Sequence, residues 1–141
     1  MSNKVHVLYA DDDEMIRQVI GGQLAKRGYE VIYATDGNQA RDMARRLQPQ
    51  LILLDYRMPI FDGLKTAKYL KSEDLTKKIP VILLTNEDLS VEGKKMWSDG
   101  GFDECIHKSA DMDIFFDKVQ GVLEKYKIEI PTPQTPGGEK A

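Results

Sequence analysis

The sequence predicts an α/β domain: a doubly wound five-stranded parallel sheet with helices on both faces. Three observations carry this. The apolar runs at residues 5–10, 51–54 and 81–84 are nearly continuous instead of alternating, the pattern of strands covered on both sides. The segments between them place apolar residues at helical spacing. Strand starts near residues 5, 30, 51, 81 and 105 recur at about the length of one strand–helix unit. Strand and helix alternating in this way imply right-handed crossovers between parallel strands.

Each element has its own local warrant. The first strand, residues 5–10, is followed by a helix carrying Ile16, Val19, Ile20 and Leu24, which Gly28 stops. Residues 30–34 form the second strand, and Ala40, Met43, Ala44 and Leu47 line the next helix. Pro49 and Pro80 each stand just before a strand and prevent helix from running into it. After the third strand, residues 51–54, Asp62 or Gly63 opens a helix with Leu64, Ala67 and Leu70 on its inner stripe. Residues 81–84 are the fourth strand. The Gly100-Gly101 pair ends the segment after it, and the weaker run 105–107 is the fifth strand. Asp111 starts a final helix with Phe115, Val119, Val122, Leu123 and Tyr126. The domain therefore spans residues 1–127, and residues 128–141, with three prolines and no periodicity, read as an extended, mobile tail or linker.

Composition excludes several classes. The chain has 141 residues with 20 Lys and Arg against 23 Asp and Glu, a net charge of −3, so a nucleic-acid-binding role lacks the basic excess it needs. No apolar run approaches the ~20 residues of a membrane helix, and no signal-peptide core follows Met1. The single cysteine, Cys105, excludes an internal disulfide and a cysteine-based zinc site and fits a reducing, cytoplasmic setting. There is no glycine-rich nucleotide loop.

In an open α/β sheet the binding crevice lies outside the carboxyl ends of the strands. The first strand runs into Asp11-Asp12-Asp13-Glu14, the third into Asp55, the fourth into Thr85 and the fifth into Lys108. Singly, each has an ordinary explanation: a solvated turn and helix cap for residues 11–14, a turn residue before Met58-Pro59 for Asp55. Together, at consecutive strand ends, they form one polar edge. Crowded carboxylates repel, and one of them is pushed to hold a proton unless a cation intervenes. All-oxygen donors favour a hard ion, magnesium above all, which accepts one or two carboxylates and leaves room for phosphate oxygens. The arrangement suits phosphoryl transfer, and Asp55 is a nucleophile already ionised at neutral pH, which needs no general base.

The stretches Val7-Leu8-Tyr9-Ala10-Asp11-Asp12-Asp13, Asp55-Tyr56-Arg57-Met58-Pro59-Ile60-Phe61-Asp62-Gly63, Val81-Ile82-Leu83-Leu84-Thr85 and Lys108 resemble response-regulator receiver domains of two-component signalling, over about residues 4–126. The resemblance implies a flavodoxin-like strand order 2-1-3-4-5, which sets strands one and three side by side at the switch point. It implies Asp55 as phosphoacceptor, Asp12 as direct magnesium ligand, and Asp11 as the neighbour that holds the ion largely through water. Arg57 would give a main-chain carbonyl to the metal, while Thr85 and Lys108 hold phosphoryl oxygens and Thr85 draws its loop inward. The donor would be a phosphohistidine on a sensor histidine kinase or phosphotransfer protein.

Three positions depart from that pattern. Ser109 replaces the usual proline after the lysine, so a trans Lys108–Ser109 bond is expected, because a cis non-proline bond costs ~2.5–4 kcal/mol. Cys105 replaces the aromatic residue of the usual switch, and reads as a small buried hydrophobe. His107, on the same side of the strand, reads either as its substitute or as a surface histidine, the second being preferred. Asn86 stands where a small residue usually follows the threonine. Arg57 and Glu87, two residues past Asp55 and Thr85, are expected to flank the mouth, where pairing would slow loss of the phosphoryl group. Trp97 and Met96 suggest a partner surface within residues 90–127. The leading reading is a phosphorylation-dependent signalling switch, not a turnover enzyme: Arg57 occupies the position where aspartate-based phosphatases carry their acid–base aspartate. The alternative is a receiver-like docking module that works without phosphorylation.

Overall fold

The first strand begins at Val5 because the residues from there to Ala10 alternate between two apolar environments. Val5, Val7 and Tyr9 enter one core, and Leu8 and Ala10 enter the other. The structure, a computed structural model, describes residues 4–86 and 98–132. Its elements in chain order are β1 (Val5–Ala10), α1 (Glu14–Lys26), β2 (Tyr29–Ala34), α2 (Gly37–Leu47), β3 (Leu51–Asp55), α3 (Gly63–Ser72), β4 (Val81–Thr85), β5 (Glu104–His107) and α4 (Met112–Lys125). The sheet has the order β2-β1-β3-β4-β5 and every pairing is parallel, as expected. The segment expected to bear Trp97 and Met96 lies outside the described residues, as does Glu87.

β3 and β4 are buried along their whole length, which explains their unbroken apolar sequence. One core, containing Val7, Leu53, Ile82 and Ile106, is covered by α1 and α4 through Leu24, Phe115, Val119 and Leu123. The other, containing Leu8, Ile52, Leu54 and Leu83, is covered by α2 and α3 through Ala40, Ala44, Ala67 and Leu70. Each of the helices α1 to α4 opens on an aspartate whose carboxylate accepts backbone N–H groups: Asp13, Asp36, Asp62 and Asp111. The acidic run after β1 is therefore divided by function, since Asp13 serves as the cap and leaves Asp11 and Asp12 for the crevice.

Gly28 and Gly63 are among the glycines that geometry requires. Gly28 ends α1 at φ +95°, and a Cβ there would collide with the Thr132 carbonyl. Gly63 lets α3 start hard against β3, where a Cβ would come within 2.7 Å of the Asp55 carbonyl. Ile60, by contrast, is a β-branched residue at φ +71°, with the Phe61 N–H donating to the Pro59 carbonyl at 2.8 Å, a tight and strained γ-turn. Its side chain is 69% exposed and contributes nothing to the core. Ile60→Gly is expected to stabilise the protein by about 1 kcal/mol, the relief of strain less the entropy cost of glycine, read as a higher urea midpoint.

The tail differs from its expectation in the first five residues. Ile128 and Ile130 pack on the α1–α4 core, Pro131 is buried, and the Ile128 N–H donates to the Leu123 carbonyl at 2.8 Å. Alternating isoleucines, one residue apart, give this extended stretch an apolar side that the prolines do not remove. Residues 133–141 lie outside the described residues.

Candidate functional site

Parallel pairing sets the carboxyl ends of β1, β3, β4 and β5 along one edge. Ala10 pairs with Leu54, Asp55 with Leu84, and Thr85 with His107. The residues that follow or close these strands, namely Asp11, Asp55, Thr85 and Lys108, are therefore brought to the same end of the sheet. Asp11, Asp12 and Asp55 each offer an oxygen within 4.8 Å of the others.

The ammonium of Lys108 sits between the two buried acids, 2.9 Å from Asp11 Oδ2 and 3.0 Å from Asp55 Oδ1. Asp11 is completely buried, and it also accepts from the Tyr9 hydroxyl at 2.8 Å and from the Asp13 N–H at 2.9 Å. Arg17 reaches back to the Asp11 carbonyl at 2.7 Å, tying α1 to the end of β1. Asp55 is 5% exposed and also accepts the backbone N–H of Arg57. Asp12 is exposed. It faces an open hollow of about 320 Å³ lined also by Tyr56, Arg57, Met58, Pro59 and Asp62.

Burial pushes the Asp55 carboxyl up to about 6; the Lys108 hydrogen bond opposes this and the Asp11 charge adds to it. One carboxyl of the cluster does hold its proton more tightly, as crowding led one to expect, but loss of water is the larger cause. Burial pulls the Lys108 ammonium down, yet its bonds to Asp11 and Asp55 outweigh this, and it stays charged above the ordinary lysine range.

The remaining candidate residues are arranged around this centre. Thr85 is buried at the end of β4, and its carbonyl accepts the Lys108 N–H at 2.8 Å. Asn86 is exposed just beyond it. The Arg57 side chain is exposed, its guanidinium 5.4 Å from the Tyr56 ring centre. Glu87, its expected partner, is outside the described residues, so their pairing is not seen. Cys105 is buried in the α2–α3 core with Leu83 and Phe102, a small hydrophobe as expected. The Lys108–Ser109 peptide is trans. His107 is half-buried and bonded on both ring nitrogens, so it is not a solvated surface histidine.

Sequence reading missed Tyr9 and Arg17. For Tyr9 a signal existed: two residues before Asp11 on a strand, it shares a face with that acid, and among aliphatic neighbours it brings a hydroxyl.

The fold and the acidic edge together are those of one class, and the chain belongs to it: the model of the response regulator receiver domain family matches residues 7–120. The chain is 32% identical over 119 residues to the DNA-binding dual master transcriptional regulator RpaA of a Synechocystis strain, covering 84% of this chain and 49% of that protein. It is 30% identical over 117 residues to the polar-differentiation response regulator DivK of Brucella anthropi, covering 83% of this chain and 94% of DivK. Among solved structures, the chemotaxis response regulator CheY4 of Vibrio cholerae matches with a TM-score of 0.80 and 30% identity, over 86% of this chain and 100% of that one. The chain spans about half the length of RpaA and several other curated relatives. Among the described residues no helix is long and apolar enough to cross a membrane.

Proposed function

We propose that this receiver domain is a phosphorylation-dependent signalling switch that accepts a phosphoryl group on Asp55 from a phosphohistidine. The observation that carries the reading is the Lys108 ammonium held between buried Asp11 and Asp55 at the edge where Thr85 also ends its strand. An Asp55 oxygen attacks phosphorus as the donor's P–N bond breaks. The electron pair of that bond stays on the imidazole nitrogen, the departing ring takes its proton from water, and an acyl phosphate remains. Lys108 and Thr85 receive phosphoryl oxygens, and the hollow beside Asp12 admits the donor. Asp12, Asp55, the main-chain carbonyl of Arg57 and, through water, Asp11 are the proposed magnesium ligands. The all-oxygen set within 4.8 Å suits that ion, which when bound offsets the charge of the acids and of the phosphoryl oxygens.

The phosphoryl group adds about −2 of charge and shifts the loops bearing Thr85 and Lys108, changing the face offered to a downstream protein, with residues 90–127 as the proposed contact. Arg57, Asn86 and Glu87 would tune access of water to the modified Asp55. The donor is a sensor histidine kinase or phosphotransfer protein, the setting cytoplasmic, and the modification self-directed, not catalytic turnover. The test is intact mass after incubation with magnesium and acetyl phosphate, which should add one phosphoryl group to Asp55 alone. No gain would favour the phosphorylation-independent docking module, and continuous phosphate release would favour an aspartate phosphatase.

Tyr9 belongs to the same reading. Its hydroxyl is one of three groups aiming the Asp11 carboxylate, and such outer partners of a metal-binding carboxylate typically matter tenfold or more. Tyr9→Phe is expected to weaken magnesium binding roughly tenfold by calorimetric titration, with the fold retained.

A further inference from the structure

Ser109 contributes something that a proline cannot: a backbone N–H. It donates to His107 Nδ1 at 3.1 Å, and the Ser109 hydroxyl lies 2.7 Å from the same nitrogen. A ring nitrogen that accepts a backbone N–H carries no proton, so in the neutral ring the proton is on Nε2. Nε2 lies 3.2 Å from the Asn86 carbonyl, which can only accept. Both contacts thus select the same tautomer. The ring reaches from the residue after Thr85 to the residue after Lys108, alongside the backbone bond from the Lys108 N–H to the Thr85 carbonyl. Cys105, the other candidate on this side of β5, is enclosed in the core and is too short to make such a link.

We propose that His107, its tautomer set by Ser109, is a positioning residue that straps the Thr85–Asn86 turn to the Lys108–Ser109 turn, so that the two phosphoryl-binding groups engage together. The proposal rests on the reading that Thr85 and Lys108 hold a phosphoryl group on Asp55. Beyond the paired ends of β4 and β5, two hydrogen bonds cross between the segments, from the Lys108 N–H to the Thr85 carbonyl and from His107 Nε2 to the Asn86 carbonyl. A turn that shifts Thr85 inward carries the Asn86 carbonyl with it, and the rigid imidazole passes that shift to the segment bearing Lys108.

Two measurements on the full chain test it. Long-range nitrogen–proton correlation of the imidazole at about pH 8, above the ordinary histidine range, should show the Nε2–H tautomer. Ser109→Ala, which keeps the backbone N–H, should keep that tautomer. Magnesium and beryllofluoride affinities are then compared in the wild type and His107→Ala. The strap requires beryllofluoride binding to weaken about fivefold, the factor of one ordinary hydrogen bond, while binding of magnesium alone is unchanged. An Nδ1–H tautomer, equal beryllofluoride affinity, or a parallel loss of magnesium affinity would overturn it. Wild-type protein that took up no beryllofluoride would instead overturn the phosphoacceptor reading, and the strap's role would fall with it.

Discussion

Asp55→Asn should gain no mass from magnesium and acetyl phosphate, where the wild type gains one phosphoryl group, and it should also be the more stable protein near neutral pH. The first effect is all-or-none, because an amide cannot form the acyl phosphate. The second follows from where Asp55 sits. Its carboxyl, 5% exposed beside Asp11, is pushed up to about 6, chiefly by burial. A carboxyl whose folded value lies above its unfolded one binds its proton more tightly in the native state. Its contribution to stability is therefore fully present below about pH 4 and lost as pH rises through about 6. In metal-free buffer above pH 7 the ionised group costs about 1–3 kcal/mol. Urea unfolding of the asparagine variant should show a gain of that order at neutral pH, shrinking to nothing in acid. Parallel stability curves at every pH would mean that Asp55 is well solvated, and the buried cluster would lose its basis.

Much of this site was legible in the chain because parallel α/β sheets place strand ends together. Once the apolar runs around residues 5, 51, 81 and 105 are identified, Asp11, Asp55, Thr85 and Lys108 must approach one another. Which acid of the run 11–14 serves as the cap was not legible, and the place of Tyr9 two residues before Asp11 was a signal that did not decide its role, for a physical reason. A residue in an acidic run can either cap a helix or face a crevice, and a strand tyrosine can be core or partner. Only the side-chain geometry separates these roles. His107 is the clearest case. Strand alternation placed it on the right side, but its link to Asn86 depends on the Ser109 N–H and on a turn path that no periodicity encodes. Residues 128–132 were misjudged because prolines were weighted above the alternating Ile128 and Ile130, whose apolar sides find the α1–α4 core.

Lys108→Ala should turn folding into a magnesium-dependent process. Lys108 is the cation that both buried acids share, at 2.9 and 3.0 Å. Without it, Asp11 keeps the Tyr9 hydroxyl and the Asp13 N–H, and Asp55 keeps the Arg57 N–H, but among the described residues no positive charge remains between them. Removing one partner from a buried ionic cluster costs about 3–5 kcal/mol, because the remaining charge is neither solvated nor paired. The loss should be largest above pH 7. Unopposed repulsion raises the Asp55 carboxyl further in the folded state, so stability returns as pH falls and that group takes up its proton. Magnesium should restore it by a second route, since an ion bound only by the folded protein stabilises it by ~2.7 kcal/mol at a hundred times its Kd. The ammonium that competes for the same oxygens is also gone. The midpoint of urea unfolding, followed with and without magnesium at pH 6 and pH 8, checks both expectations. Stability that ignored the ion and the pH alike would mean these acids are hydrated separately, with no shared pocket for a cation or a phosphoryl group to occupy.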